Sequence, residues 1–314
     1  MAKVIVSRVL QLIMVLFLLS IMTFGLMKLA PGDPVRTILK TDEVSVSLEE
    51  LEALRKELQF DQPIFIQYTS WLSNVVRLDL GESYVSQQPV VKEIASRIVP
   101  TLYLTVGGLM VMTIVATALG TLSAVFKNSW IDHFSRLFAY IGASVPTFWL
   151  GLILIYLFSF KLSILPAMGE GSIKHLILPS LTLGLGMAAV YARLLRAGLL
   201  ESFSQEYIRA ARSRGLSEWQ IVKGHALRSA LLPVMTMFGM SFGYLLGGSV
   251  VVEMIFSYPG LGKMVVDAVF KRDYTLIQGY ILFTGVVVVF INLLVDLSYR
   301  FLDPRIRFEK EGRL

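Results

Sequence analysis

Residues 205–219 read QEYIRAARSRGLSEW, a polar stretch enclosed by two long apolar runs. Apolar runs of about 20 residues are long enough to cross a bilayer, so this stretch must lie at a membrane face. It combines a helix start, small residues, three arginines and a glycine that can end a helix. A soluble partner could hold such a segment and move the helices on both sides of it. We therefore predict that the chain is the membrane subunit of an assembly that is driven by another polypeptide.

The composition also indicates a membrane protein. Hydrophobic residues make up 55% of the 314 positions and charged residues only 17%, whereas soluble domains have about a quarter charged residues. The chain has no cysteine, which excludes disulfides and thiolate metal sites. The net charge of +6 is concentrated at one predicted membrane face, so we do not expect a nucleic-acid partner.

The apolar run at the N-terminus predicts a retained helix rather than a signal peptide. It extends from Val9 to Leu29 after Lys3 and Arg8, and no small-x-small cleavage site precedes Pro31. Backbone groups inside hydrocarbon must pair within their own segment, so each apolar run predicts a helix. Six spans follow, at about 5–29, 101–126, 135–160, 175–200, 229–254 and 278–302. We expect the fourth to bend at Pro179, Gly184 and Gly186, whereas the third and fifth are the clearest.

The distribution of basic residues predicts the orientation. The N-terminus, the 127–136 turn, the 193–228 region and the C-terminus fall on one side. Together they hold more than half of the 29 Lys and Arg residues and fewer than a third of the 23 Asp and Glu residues. By the positive-inside rule this side is cytoplasmic. We expect a multi-pass membrane protein with both termini in the cytoplasm.

The segment 30–100 is too long for a simple outer turn. Ser47 followed by Glu50 has capping-box spacing and predicts a short helix near 48–58. The run Asp61-Gln62-Pro63 predicts the start of another helix. We expect a small helical cap on the outer face, which is either a spacer or a landing surface for an external protein.

The polar stretch predicts two helices joined by a tight turn. Ser202 with Gln205, and Ser217 with Gln220, have capping-box spacing, and Gly215 suits a left-handed helix end.

Between these signals lie the small residues Ala210 and Ala211, which would let another surface approach closely. Arg209, Arg212 and Arg214 offer planar forks for carboxylates. An amphipathic helix resting on anionic lipid is an alternative. A DNA-reading helix pair is rejected because the flanking spans leave no room for a duplex.

Other candidate sites lie in and after the fifth span. Gly239, Gly243 and Gly247 have the spacing that lets helices in membranes pack closely. Glu253 lies near the predicted outer mouth, where water can reach it. It is either a structural carboxylate or, with Pro259 and Gly260, part of a candidate outer gate. No metalloprotease or serine-hydrolase motif is present, so we predict neither catalytic nor metal-binding residues.

Several motifs spread over nearly the whole chain carry a family resemblance. They are Pro31-Gly32-Asp33-Pro34, Asp61-Gln62-Pro63, Leu165-Pro166, Glu206 to Gly215 with Leu232-Pro233, Glu253 to Gly262, Arg272-Asp273-Tyr274 and Leu302-Asp303-Pro304-Arg305. With them the chain resembles binding-protein-dependent ABC transporter permeases of the dipeptide/oligopeptide/nickel group, specifically the first subunit. The family signature is Glu-Ala-Ala with Gly four positions on, and Arg209 here replaces the glutamate.

The resemblance implies the all-α fold of a type I ABC importer permease, with an outer helical cap between helices 1 and 2. Its segments would be helix 1 (1–29), the cap (30–100), a five-helix core (101–302) that includes a coupling segment (201–226), and a tail (303–314). Glu206, Tyr207, Arg209, Ala210, Ala211, Arg212 and Gly215 would contact the ATPase.

The implied partners are a second homologous permease, two ATP-binding subunits, an extracytoplasmic substrate-binding protein and membrane lipid. This chain would bind no cofactor, and the partner subunits would use ATP and Mg. The stretches Leu165 to Gly169, Asp61 to Gly81 and Ser86 to Val90 look closest to nickel permeases. We therefore expect chelated nickel as cargo, with di- or oligopeptides as the alternative. A stand-alone channel or ion-coupled carrier is the alternative of a different class.

Overall fold

Helices follow the apolar runs of the sequence. The computed structural model describes residues 2–29, 35, 47–57 and 60–302, and no strand occurs among them. In chain order the helices are α1 (Ala2–Leu29), α2 (Leu48–Glu57), α3 (Ile64–Val76), α4 (Val90–Val125), α5 (Trp130–Ser144), α6 (Thr147–Leu154), α7 (Ile173–Phe203), α8 (Glu206–Ser213), α9 (Glu218–Ile221), α10 (Leu227–Ile255), α11 (Leu261–Phe270) and α12 (Tyr274–Leu302). Two π-helical segments, Ile155–Lys161 and Val222–Ala226, extend α6 and α9. The all-α class is confirmed.

Four helical stretches of the described chain are long and apolar enough to cross a membrane. They are Val9–Leu29, Val90–Val125, Ile173–Phe203 and Tyr274–Leu294. The pair α5 and α6 makes a fifth if it counts as one span. At the fifth predicted position, α10 is a helix of 29 residues, but the side chains of residues 239–248 lie outside the described structure. Six spans therefore stay a prediction, and the predicted tail 303–314 falls outside the described residues.

The third predicted span is not one straight helix. The axis turns by 109° between α5 and the segment Thr147–Lys161. Val145 and Pro146 are both extended, with ψ of 123° and 137°. A proline ring disfavours helical backbone at the residue before it and removes one N–H donor, so the break falls there. The expectation that this span is among the clearest is wrong.

The fourth predicted span, expected to bend at Pro179, is a single uninterrupted helix, α7. Gly184 within this helix allows close packing against another helix instead. A Cβ added to Gly184 would lie 2.6 Å from the carbonyl oxygen of Gly108 in α4. A Cβ added to Gly142 of α5 would likewise lie 2.6 Å from the Cβ of Ala189 in α7. Small residues thus let α4 and α5 pack directly against α7, as in other membrane helix pairs.

Contacts divide the chain into two compact units, described here one at a time. One contains residues 100–262 with the end of the chain from 294, and the other contains residues 1–99 and 263–293. The core of the first unit is apolar and centres on Leu104, Leu178, Ala188, Val252 and Phe256.

In the second unit, Asp273 ties the loop after α3 to the start of α12. Its carboxylate accepts hydrogen bonds from the Ser83 hydroxyl, from the Tyr84 N–H at 3.1 Å and from the Leu276 N–H at 3.3 Å. Burial raises the pKa of the Tyr84 phenol above its usual value. The predicted capping box at Ser47 is confirmed, because the Ser47 hydroxyl and the Glu50 backbone and carboxylate are mutually bonded.

Candidate functional site

The predicted coupling segment, 201–226, forms two short helices with a tight turn between them. The first, α8, begins after Gln205, whose side chain makes no capping bond. The capping role predicted for Ser202 is wrong, because Ser202 is buried inside α7, which continues to Phe203. The next helix, α9, starts with the predicted capping box. The Ser217 hydroxyl accepts from the Gln220 N–H at 3.4 Å, and Gln220 Oε1 accepts from the Ser217 N–H at 2.8 Å.

Gly215 makes the turn between the helices. Its φ of +81° lies in the left-handed region, where glycine alone avoids a steric penalty. The Gly215 N–H donates to the Arg212 carbonyl at 2.9 Å, and the Leu216 N–H donates to the Ala211 carbonyl at 3.4 Å. The predicted left-handed helix end is confirmed.

One face of α8 packs into the chain's own core. Ile208 has no exposed surface, and Ala211 is only 5% exposed. Both lie in an apolar cluster with Leu199, Ile221 and Ala226. The prediction that Ala211 lies open to another surface is therefore wrong, because its small side chain serves packing within the subunit.

The opposite face of α8 is open. The side chains of Glu206 and Arg209 are 96% and 71% exposed, and Ala210 is exposed beside them. Tyr207 is 44% exposed, and its hydroxyl lies 3.3 Å from that of Ser229 in α10. We call Glu206, Arg209 and Ala210 the open face of α8. The structure thus divides the predicted contact residues between a surface set and a packing set.

Arg212 belongs to neither set, because its guanidinium joins α8 to α9. Its Nε and Nη2 donate to the two carboxylate oxygens of Glu218 at 2.8 and 3.1 Å, and the same group lies over the Phe203 ring at 5.7 Å. The hydrogen bonds that Arg212 donates to Glu218 raise the pKa of Arg212 above its usual value. The predicted free fork of Arg212 is already occupied within the chain.

A buried ion pair lies in the same unit as the coupling segment and was missed by sequence reasoning. Asp132 of α5 has no exposed surface. It accepts from Nε and Nη2 of Arg196 in α7 at 2.7 and 2.9 Å, and from the Asn128 N–H at 3.0 Å. Arg196 follows Leu195, which belongs to the cluster around Ile208. An acidic residue at a helix start, followed later by an arginine in an apolar run, was the available signal.

The predicted outer-gate residues come together. Glu253, at the end of α10, is completely buried, so the expectation that water reaches it is wrong. Thr101 Oγ1 donates to Glu253 Oε1 at 2.8 Å and accepts from the Leu261 N–H at 2.8 Å. The loop 256–260, with Pro259, folds over the carboxylate, and a Cβ on Gly260 would come within 2.2 Å of it. Burial raises the pKa of the Tyr258 phenol in this loop.

The predicted packing glycines 239, 243 and 247 lie within α10, and their surroundings fall outside the described structure. Their role stays a prediction. Gly198 of α7 makes a close helix contact that the sequence spacing did not indicate. A Cβ added there would lie 3.2 Å from the Cα of Ala230 in α10.

Comparison with known proteins gives consistent matches. The family described as "Binding-protein-dependent transport system inner membrane component" matches residues 116–308, and the N-terminal domain described for such membrane components matches residues 1–105. The chain is 44% identical over 309 residues to the glutathione transport system permease protein GsiC of Escherichia coli O6:H1, covering 98% of this chain and all of that protein. GsiC of Shigella boydii serotype 4 is 43% identical over the same length.

Solved structures share the fold. An inward-facing MetNI methionine ABC transporter aligns with a TM-score of 0.56 at 20% identity, over 67% of this chain and 96% of that chain. An amino acid ABC transporter aligns with a TM-score of 0.54 at 18% identity, over 67% and 94%. These alignments confirm the predicted type I importer permease fold. By its family matches and its full-length relatives, the chain belongs to the binding-protein-dependent transport system inner membrane components.

Proposed function

We propose that this chain is the membrane path of an ABC importer for short peptides of the di- and oligopeptide class, with glutathione-like peptides as the first candidates. The observation that carries this proposal is the 44% identity to a glutathione permease over 98% of this chain. The expectation of chelated nickel receives no support from these relatives. The peptide alternative therefore takes first place.

The coupling segment supports a passive, force-receiving role for this chain. Its open face offers one negative charge, one positive charge and a methyl group to a soluble partner. Its inner face is anchored by Ile208, which has no exposed surface and packs near Leu199 of α7. Displacement of α8 by closing ATPase subunits would thus pass directly to α7. The same cluster includes Ala230 of α10, so a second helix would follow.

Internal bonds make the segment stiff enough for this role. The Arg212–Glu218 pair joins α8 to α9, and the Ser217 capping box fixes the first turn of α9. A flexible loop would deform when the ATPase subunits move. A segment held by internal hydrogen bonds would instead pass the displacement to the helices attached to it. We infer two ATP-hydrolysing partners that use ATP and Mg, a second permease and an external substrate-binding protein.

The enclosed Glu253 gives the proposed gate a closed position. The loop 256–260 lies directly on the carboxylate, and Thr101 bonds to the carboxylate and to the N–H of Leu261, which follows the loop. Opening would separate these groups and expose a carboxylate to water. We propose that substrate passage requires this loop to leave Glu253.

The test is uptake by the complete transporter in a strain that lacks this gene. Radiolabelled glutathione, a dipeptide and nickel are supplied separately to cells with the gene restored. We expect restored uptake of glutathione or the dipeptide, with nickel uptake unchanged. Restored nickel uptake without peptide uptake would overturn the peptide proposal and leave the permease assignment intact.

A further inference from the structure

Helix α3 has an unusual composition for a segment outside the spans. Its 13 residues, IFIQYTSWLSNVV, include no charged side chain. The preceding helix α2, LEELEALRKE, is mostly charged. The charged side chains of α2 favour a position in water, whereas α3 has no charged side chain that requires one.

Large apolar side chains of α3 face outward. Phe65 is 75% exposed and Val76 is 76% exposed. Together with Thr69 they share one face of the helix, because their spacing of 4 and 7 residues returns to the same side. No residue of α3 is buried. Within the part of the chain that the structure describes, nothing covers this face.

The neighbouring face of α3 fixes its position along α1. The Tyr68 ring lies 5.4 Å from the Phe24 ring, and the Trp71 ring lies 5.7 Å from it. The Tyr68 hydroxyl is 2.8 Å from that of Ser20. At 1.5 Å of rise per residue, Ser20 lies about 13 Å along the axis before the end of α1 at Leu29.

These contacts lie within the apolar span Val9–Leu29. Toward its N-terminus, α1 presents further apolar side chains outward, including Met14 and Phe17, which are 64% and 52% exposed. Helix α3 therefore packs along a span whose outward side chains already belong in lipid. Tyr68 and Trp71 are the residue types that favour the boundary between headgroups and acyl chains. At the end of α1, Lys28 Nζ lies 4.8 Å from the Phe60 ring centre and is bonded to Gln67.

We propose that α3 is a membrane-surface helix. It lies in the leaflet at which the first span ends, and Phe65, Thr69 and Val76 contact lipid acyl chains. This inference rests on the membrane position of α1 and is independent of the cargo. Under this proposal, lipid and not an external protein contacts the open face of α3.

The absence of cysteine from the chain permits a direct test. Nitroxide labels are placed singly by Phe65→Cys, Thr69→Cys and Val76→Cys, in the complete transporter with cysteine-free partner subunits, in phospholipid nanodiscs. Collision rates are measured with oxygen, which concentrates in lipid, and with a water-soluble nickel chelate. Met14→Cys calibrates lipid and Glu52→Cys on α2 calibrates water. Each variant is first checked for uptake.

We expect the three α3 labels to collide more with oxygen than with the chelate, as Met14→Cys does. Preference for the chelate at these positions would place the face in water and overturn the proposal. Exclusion of both reagents would mean that a protein partner covers the face, which also overturns it. If one variant fails to assemble, the other two positions give the same decision.

Discussion

At the scale of single residues, Ala210 and Ala211 show how adjacent identical side chains acquire different roles. Ala211 lies against the core and Ala210 lies on the open face of α8. Successive helix positions are about 100° apart, so only one of the two can face the cluster around Ile208. The distinction predicts opposite consequences of the same substitution.

Ala211→Leu is expected to overpack the cluster and to lower the free energy of unfolding by about 1–3 kcal/mol. Ala210→Leu is expected to leave stability nearly unchanged and to reduce uptake, because the added bulk would meet the ATPase. Thermal melting of the purified transporter and uptake in cells measure the two effects. Wild-type uptake with Ala210→Leu at normal expression would exclude a tight contact there.

Gly215→Ala tests the turn. An alanine held at φ of +81° is expected to cost about 1 kcal/mol, and the resulting shift of α9 should reduce substrate-stimulated ATP hydrolysis. Gly224→Ala is the matched control, because an added Cβ there meets nothing within 4 Å. Equal effects of the two changes would show that the left-handed turn is unimportant.

At the scale of elements, the Asp132–Arg196 pair holds α5 against α7. Both carboxylate oxygens are bonded to the guanidinium, and Asp132 has no exposed surface. Removal of one charge from a buried pair leaves the other uncompensated. The Asp132 side chain is therefore expected to stabilise the packing of α5 against α7.

Asp132→Asn is expected to lower the free energy of unfolding by about 3 kcal/mol. Arg136→Gln is the control, because Arg136 lies 3.7 Å from the same carboxylate with a 43% exposed side chain. The Arg136→Gln substitution should lower the free energy of unfolding by less than about 1 kcal/mol. Melting temperatures of the two variants give the comparison, and a milder effect of Asp132→Asn would contradict the assigned role of the pair.

The loop over Glu253 supplies a paired test between elements. Gly260→Ala should destabilise the loop, because its Cβ would clash with the carboxylate at 2.2–2.4 Å. Glu253→Ala removes the clashing atoms, so the double variant should be more stable than the sum of the single effects by about 1 kcal/mol or more. Melting and uptake of the three variants are compared. Additive losses would show that Gly260 is constrained by something else.

At the scale of the whole molecule, this chain is expected to transport nothing alone. In the proposed mechanism the coupling segment receives force from partner ATPase subunits. Liposomes that contain only this chain should accumulate neither labelled glutathione nor a labelled dipeptide, with or without ATP. Liposomes that contain the full set of partners should accumulate peptide when ATP and the binding protein are present. Uptake by the chain alone would favour the channel or carrier alternative.

Much of the helical plan followed from the sequence, because it depends on neighbours in the chain. Apolar run length predicted α4, α7 and α10, and the capping boxes at Ser47 and Ser217 act over three residues. The left-handed turn at Gly215 is likewise local. The break at Pro146 was equally local, but the long apolar run on both sides concealed it. Proline alone did not decide helix ends either, because α7 continues through Pro179.

The sequence alone determined the helical class, the polar segment between apolar helices and the family, since these depend on residue type and local spacing. The tertiary structure alone decided which side of α8 faces inward, because that depends on α7 and α10. It also paired Asp132 with Arg196, 64 positions apart, and enclosed Glu253 with Thr101, 152 positions apart. Such contacts arise only when distant helices pack, and buried charge then finds its partner by proximity in space.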